Sequence, residues 1–324
     1  MVEVSRFDRH QHNAARAQDT ECGVPKRSTE TWVIDGREIQ VTSLDKPYWP
    51  EDGLNKGDAL SYYRQMAGTM LPYLRDHPLT LRVFPRGIGG PGYWRREQAD
   101  STPDWLRSVI YQPSSHEDPI HVPLIDDEAG LIWHADHSAI EFHQWLSRAD
   151  DLKRPDWAVF DLDPGTEIGF SYVLETALHV RDELAQSGLS AFAKTSGGVG
   201  MHVFVPLDPI EPYEVVREWV HDFAGRLAEK YPDLIARASG GTHVGTKVTI
   251  DHAQNSIARN TAAPYTLRAR PGAPVSLPVD WAEVESGKIR PEQFTLRNVP
   301  RRIEQIADPW AEALKLRQRL PADD

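Results

Sequence analysis

A single cysteine, Cys22, is all that the 324 residues contain. That excludes an intrachain disulfide and a Cys-rich zinc site. No apolar run is long enough to span a bilayer. The first twenty residues, MVEVSRFDRHQHNAARAQDT, lack the apolar core of a secretory leader. Together these absences predict a cytoplasmic protein with no membrane partner. A net positive charge is also missing. The formal charge is −12, against the usual sign for a non-specific nucleic-acid binder. Basic residues are nevertheless bunched: Arg82, Arg86, Arg95 and Arg96; Arg259, Arg268 and Arg270; Arg297, Arg301 and Arg302. Each bunch alone reads as a solvated face. An acidic chain with basic stripes still binds phosphates, in a salt-sensitive way.

With 40% hydrophobic and 26% charged residues, the composition is that of an ordinary globular chain. Residues 1–29 show no apolar period and predict a flexible tail. Thr31–Ile34 and Ile39–Val41, joined by Asp35-Gly36, predict a hairpin. Asn55 to Asp58 opens an apolar-periodic stretch through Tyr62, Met66, Met70 and Leu74, a helix. Pro78–Phe84 predicts a strand, 87–92 a Gly-rich loop, and 120–163 a series of short strands. Helical spacing returns over 169–186, closed by Gly188, and over 213–230. Between and after these helices lie the strands 191–195, 201–206 and 247–251. The order is that of an α/β (α+β) layer, helices packed on a largely antiparallel sheet. A last short helix is expected from Trp310 to Arg319.

The chemistry begins at Val159-Phe160-Asp161-Leu162-Asp163-Pro164. In a strand, residues i and i+2 share a face, so Asp161 and Asp163 project together, away from Phe160 and Leu162. Two carboxylates so placed repel, and a hard cation such as Mg²⁺ or Mn²⁺ relieves the repulsion. A bare Asp-x-Asp is more often a solvated strand end, but more follows. Asp251 alternates with Val248 and Ile250 so that it too leaves the apolar side. A third carboxylate completes a site for two metals roughly 3.5–4 Å apart, which suits phosphoryl transfer. Between the acids lies Ser196-Gly197-Gly198-Val199-Gly200-Met201-His202, a loop whose backbone N–H groups and Ser and His donors suit an anion. A plain hairpin turn accounts for it equally well when taken alone. Downstream come His252-Ala253-Gln254-Asn255 and Leu267-Arg268-Ala269-Arg270; arginine is the usual partner of phosphate oxygens. Upstream, Ile140 to Trp145 alternates and puts Glu141 and His143 on one face.

The run EFHQWLSRADDLKRPDWAVFDLDPG, then KTSGGVGMHVFVPL, then TIDHAQN and APYTLRARPGAP, resembles the polymerase domain of bacterial ligase D. It is similar also to stand-alone bacterial primase-polymerases of the archaeo-eukaryotic primase superfamily. The likeness extends from about Val41 to Trp281. It implies a primase-polymerase fold with an RRM-like, mostly antiparallel catalytic sheet. The domain would cover 30–300, its N-terminal part (30–130) touching 5′-phosphate and template and its catalytic part covering 131–300, with a C-terminal helical extension over 301–324. It implies a template-directed nucleotidyltransferase that adds NTPs or dNTPs, ribonucleotides preferred, at short gaps or broken DNA ends, with two Mn²⁺ or Mg²⁺ ions per site. Carried over, Asp161, Asp163 and Asp251 hold the metals. His143, Ser196, His202, Gln254 and Arg268 bind the nucleotide. Lys46 and Lys56 grip a 5′-phosphate, and Tyr93 and Trp94 stack on template bases. In one departure, Val199 stands where the family's Gly loop usually carries a lysine. Nothing resembles a ligase or nuclease domain, so a separate DNA ligase is the expected partner. Two other readings use the same residues: a metal-dependent phosphodiesterase or nuclease, and a non-catalytic DNA-end binding module.

Overall fold

The structure is a computed structural model and describes residues 28–114, 118–236 and 245–321. The expected tail, apart from its last two residues, lies outside that range. Two sheets make the frame. The larger has six strands in the order 235–236, 248–251, 157–164, 201–206, 192–195, 278–279, antiparallel except for the first pair. The smaller has four, in the order 261–262, 139–144, 79–83, 93–95, all antiparallel. It draws strands from both sides of residue 130. The mostly antiparallel sheets with packed helices are the α/β (α+β) arrangement the sequence predicts.

The central strand, Trp157–Pro164, is apolar on both faces until its end. Phe160 packs against Trp219 and Phe223 of the helix Tyr213–Lys230. The helix Phe170–Gln186 covers the same sheet with Val173, Leu174, Ala177, Val180 and Leu184. Two helices therefore close one face and leave the other, which bears Asp161, to the cleft between the sheets. The helix Lys56–Leu74 starts at a capping box in which Asn55 and Asp58 satisfy each other's backbone N–H. Its Tyr63 packs on Phe142 behind the small sheet and donates to the Ile140 carbonyl at 2.5 Å. The hairpin forms with strands Thr29–Ile34 and Arg37–Thr42, and both turn residues take positive φ, 50° at Asp35 and 75° at Gly36.

Two expectations need correction. Within 120–163 the structure has a helix, Glu128–Asp136, among the strands. Every residue from Ala129 to Asp136 is buried, so no polar stripe betrays the helical period. Asp127 caps it by accepting from the Gly130 N–H at 2.8 Å. At the other end, 310–319 is no helix: turns run to Lys315, and Gln318 then pairs with Leu207 in an isolated parallel bridge. The turn bonds span three residues, from Ala311 to Asp308, Ala313 to Trp310 and Lys315 to Glu312. Two side chains hold this segment: Trp310, which enters the large sheet's face beside Trp157 and Phe204 and donates from its indole to the Ala193 carbonyl at 2.9 Å, and Gln318, which accepts from the Ser190 N–H at 2.7 Å and donates to the Ser190 carbonyl at 2.9 Å. The C-terminal helix of the chain is Val299–Ile306. Among the described residues no helix is long and apolar enough to cross a membrane.

Candidate active site

Strand register builds the centre. Asp161 lies opposite Asp251 on one neighbouring strand and opposite His202 on the other, and Lys194 lies opposite His202 one strand further. Direct partners in antiparallel strands share a face with Cβ atoms about 4.5–5.5 Å apart. The result is a row, Asp251–Asp161–His202–Lys194, with Asp163 two residues along on the same face. His202 Nε2 stands 3.2 Å from Asp161 Oδ1. Burial first, then the charges of Lys194 and Arg268, push His202 well below its ordinary range, which favours the neutral imidazole beside Asp161. Its Nδ1 is buried with no hydrogen-bond partner among the described residues.

Asp251 is held by its own loop. One oxygen accepts from the Ala253 N–H at 2.8 Å, and the other lies 3.5 Å from the Gln254 amide nitrogen. The loop is in turn fixed by Asn255. Its buried amide accepts from the Val159 N–H at 2.9 Å and donates to the Val159 carbonyl at 2.7 Å, imitating one more residue of strand. Among the described residues no three His, Cys, Asp or Glu side chains are gathered tightly enough to hold a metal as they stand. The donor set still fits a hard divalent ion: all-oxygen carboxylates, two of them direct register partners and the third on the same face.

The Gly loop behaves differently from a bare anion cradle. Ser196 Oγ accepts from the N–H groups of Gly198 (3.1 Å) and Gly200 (3.2 Å), so its hydroxyl organises the loop from within. A side chain at Gly200 would meet the Leu162 carbonyl at 2.3 Å. One at Gly197, where φ is +65°, would meet Arg268 Cγ at 2.7 Å. Glycine there lets the loop press against the Asp161 strand and lets Arg268 pass beside it. Arg268 then joins the two sheets: Nη1 donates to the Ser196 carbonyl and Nε to Glu141 at 3.1 Å. Arg270 lies over the loop, its Cζ 3.4 Å from where a Cβ of Gly198 would be, and is exposed. Among the described residues no carboxylate pairs with it.

On the small sheet, His143 donates from Nε2 to Glu141 at 2.7 Å. Burial lowers the His143 pKa against the pull of Glu141, so this is a neutral imidazole donating to a carboxylate rather than a charged pair. Burial would raise Glu141, but the His143 hydrogen bond and the Arg268 charge more than offset it and hold the carboxyl at about 2. Trp94 sets an edge against His143, ring centres 4.8 Å apart. Lys194 is fully buried and donates to Ser276 Oγ at 2.5 Å; burial and Arg268 drive its pKa well down, partly countered by Asp161.

Of the remaining expected residues, Lys46, Lys56 and Tyr93 line a second cleft of 740 Å³ together with Trp105 and His137 among others. Lys46 reaches the Pro85 carbonyl. Lys56 is buried, 2.7 Å from Asp136 and 2.6 Å from the Thr42 carbonyl. Tyr93 and Trp94 are both half-exposed, but as neighbours in a strand they point to opposite faces, Tyr93 into this cleft and Trp94 toward His143.

The family profile described as "LigD, primase-polymerase domain" matches residues 55–310. The chain belongs to the LigD primase-polymerase family. That domain is a polymerase domain. The multifunctional non-homologous end joining protein LigD of Pseudomonas aeruginosa is 34% identical over 291 residues, 88% of this chain and 34% of that protein. The corresponding DNA repair protein of Mycobacterium tuberculosis is 33% identical over 294 residues, 88% of this chain and 37% of that protein. The chain thus spans about a third of the length of these LigD relatives. The polymerase domain of Mycobacterium tuberculosis ligase D, solved in complex with DNA, superposes with a TM-score of 0.79 at 30% identity, covering 86% of this chain and 99% of that one.

Within this LigD-type fold, register brings Asp161, Asp251 and His202 together, with Asp163 on the same face. Ser196, Arg268 and His143 form one connected set with Glu141. Gln254 stands beside Asp251. Sequence reasoning missed Glu141 and Lys194 as parts of the site. Glu141 was visible as the face-mate of His143, but its partner Arg268 lies 127 residues away. Lys194 gave no signal beyond its place two residues before Ser196.

Proposed function

We propose that this chain is a template-directed nucleotidyltransferase that adds NTPs or dNTPs, ribonucleotides by preference, to primer ends at short gaps or broken ends of DNA that a DNA ligase then seals. The observation that carries the reading is the register of Asp161 against Asp251, with Asp163 on the same face of the sheet. We read 30–300 as the primase-polymerase domain. Two divalent ions, Mn²⁺ or Mg²⁺, held by Asp161, Asp163 and Asp251, would supply activation of the primer hydroxyl and charge stabilisation at the leaving pyrophosphate.

The chain's own groups do the rest. His202, 3.2 Å from Asp161, borders that carboxylate and limits where it can turn. Ser196 shapes the Gly loop, and Arg268 and His143 present donors beside it to the triphosphate. Arg270 brings over the loop a positive charge that Val199 does not provide. Gln254 holds Asp251 on its outer side. Trp94, packed on His143, offers a ring to a template base, while Lys46 and the buried Lys56 give the second cleft its positive charge for a 5′-phosphate. The relatives named for non-homologous end joining, and the solved neighbour that holds DNA, support the same reading.

Primer extension on a gapped duplex, with each metal and with ribo- and deoxynucleotides in separate reactions, tests it. Incorporation that follows the template base is expected. Strand shortening would instead indicate a phosphodiesterase, and metal-independent binding with no incorporation a DNA-end binding module.

A further inference from the structure

Glu141 is 1% exposed, and everything that touches its carboxylate is a donor. Oε2 accepts from His143 Nε2 at 2.7 Å and from Arg268 Nε at 3.1 Å. Oε1 accepts from the Ala269 backbone N–H at 2.9 Å and from Arg82 Nη1 at 3.4 Å. A carboxylate offers about four lone-pair sites and no proton, so these donors fill it. Arg82 in turn lies over the Trp94 ring, 5.4 Å from its centre, and Trp94 leans on His143. The donors come from two strands of the small sheet, 139–144 and 79–83, and from the Arg268 segment.

We propose that Glu141 is a positioning residue: it holds Arg268 and His143 preformed for the nucleotide's phosphates and, through Arg82, fixes Trp94 beside them. The proposal rests on the nucleotidyltransferase reading. Glu141 is buried behind the residues it orients. Its contribution is to remove the rotational freedom of a long arginine before the ligand arrives, which favours binding by pre-organisation. Only an acceptor-only group can serve. Glutamine keeps the shape but turns an NH₂ toward donors, so at least one of them loses its partner.

The test uses the full chain and two readouts: equilibrium titration with ATP and Mn²⁺, and primer extension on a gapped duplex. Glu141→Gln is expected to weaken ATP binding by about tenfold or more and raise the apparent KM for nucleotide in parallel, with kcat within about threefold of wild type. Glu141→Asp keeps the charge on a shorter arm, and its ATP affinity should fall between the two. Thermal unfolding checks the fold of each variant; should the glutamine variant fail to fold, the aspartate variant carries the test. Unchanged ATP affinity in a folded variant overturns the proposal, as does a loss of kcat with no change in KM. The functional reading fails separately, when wild-type protein shortens strands or adds nothing; the ATP titration still decides the part played by Glu141. Wild-type protein that binds no ATP overturns both.

Discussion

Asp161 and Asp251 face each other as direct register partners on adjacent antiparallel strands. Like charges opposed in this way destabilise a sheet unless something positive stands between or beside them. Beside them the row sets a His202 whose pKa burial pushes well down and a Lys194 whose charge burial disfavours. Opposed carboxylates of this kind exchange some stability for chemistry.

The first prediction concerns that trade. Asp161→Asn removes one charge of the pair and should leave thermal stability unchanged or raise it, by roughly 0.5–2 kcal/mol. Nucleotide incorporation should fall by about a hundredfold or more, since a lost metal ligand takes several kcal/mol from the transition state. Calorimetry and primer extension on the same preparation check both halves; DNA affinity should stay near wild type. Retention of more than about a tenth of the rate would sink the assignment.

Arg268 and Arg270 should separate. Arg268→Ala should reduce nucleotide use by about tenfold to a few hundredfold and also lower stability by about 1–3 kcal/mol, because it leaves a buried Glu141 short of a donor. Arg270→Ala should leave stability unchanged, since the side chain is exposed, and raise the nucleotide KM several-fold. Adding Val199→Lys to that variant should restore much of the affinity. A KM unmoved by Arg270→Ala would mean the Gly loop works without an added cation.

The two lysines of the second cleft are expected to differ as well. Lys46→Ala should erase the preference for gaps bearing a 5′-phosphate over a 5′-hydroxyl, and that preference should shrink in wild type as salt rises. Lys56→Ala should act first on folding, by about 3–5 kcal/mol, because it strands the buried Asp136. Binding to matched duplexes, alongside denaturant melts, distinguishes them. Equal wild-type affinity for both ends would show that this cleft is not a phosphate pocket.

Acid should expose Glu141. Its folded pKa of about 2 lies below the ordinary carboxyl value of 4.5. A depressed carboxyl contributes stability that is fully present above the unfolded value and is lost as pH falls through the folded one. The loss is thus expected between pH 4.5 and 2. Melts of wild type and Glu141→Gln across that window should converge as pH falls, and a constant gap between them would contradict it.

Much of this was readable from the chain. The hairpin announced itself through Asp35-Gly36, the long N-terminal helix through Asn55 and Asp58, and the acid face through simple alternation about Asp161 and Asp251. Alternation also places Tyr93 and Trp94 on opposite faces, a consequence their reading as an aromatic pair passes over. Other features were hidden for physical reasons. The Glu128–Asp136 helix is buried on every side and so has no amphipathic period. The partners of Lys56 and Glu141 stand 80 and 127 residues away, and pairing across such distances leaves no local trace. The stretch from Trp310 suggests a helix by composition, but it is held by tertiary contacts of Trp310 and Gln318 that leave no local period.

That anchor reaches beyond the C-terminal turns. With Trp157 and Phe204 around it, Trp310 waterproofs the half of the sheet face that adjoins Lys194, whose ammonium lies 5.7 Å from the Phe204 ring centre. The charged row consequently borders a dry wall on one side and the open cleft on the other. Fields across the dry side are poorly screened, so the charge of Arg268 acts on the acids more strongly than it would in open water. The reaction centre should accordingly tolerate high ionic strength far better than the Lys46 cleft does, and salt should detach the DNA end from this protein well before it slows the chemistry.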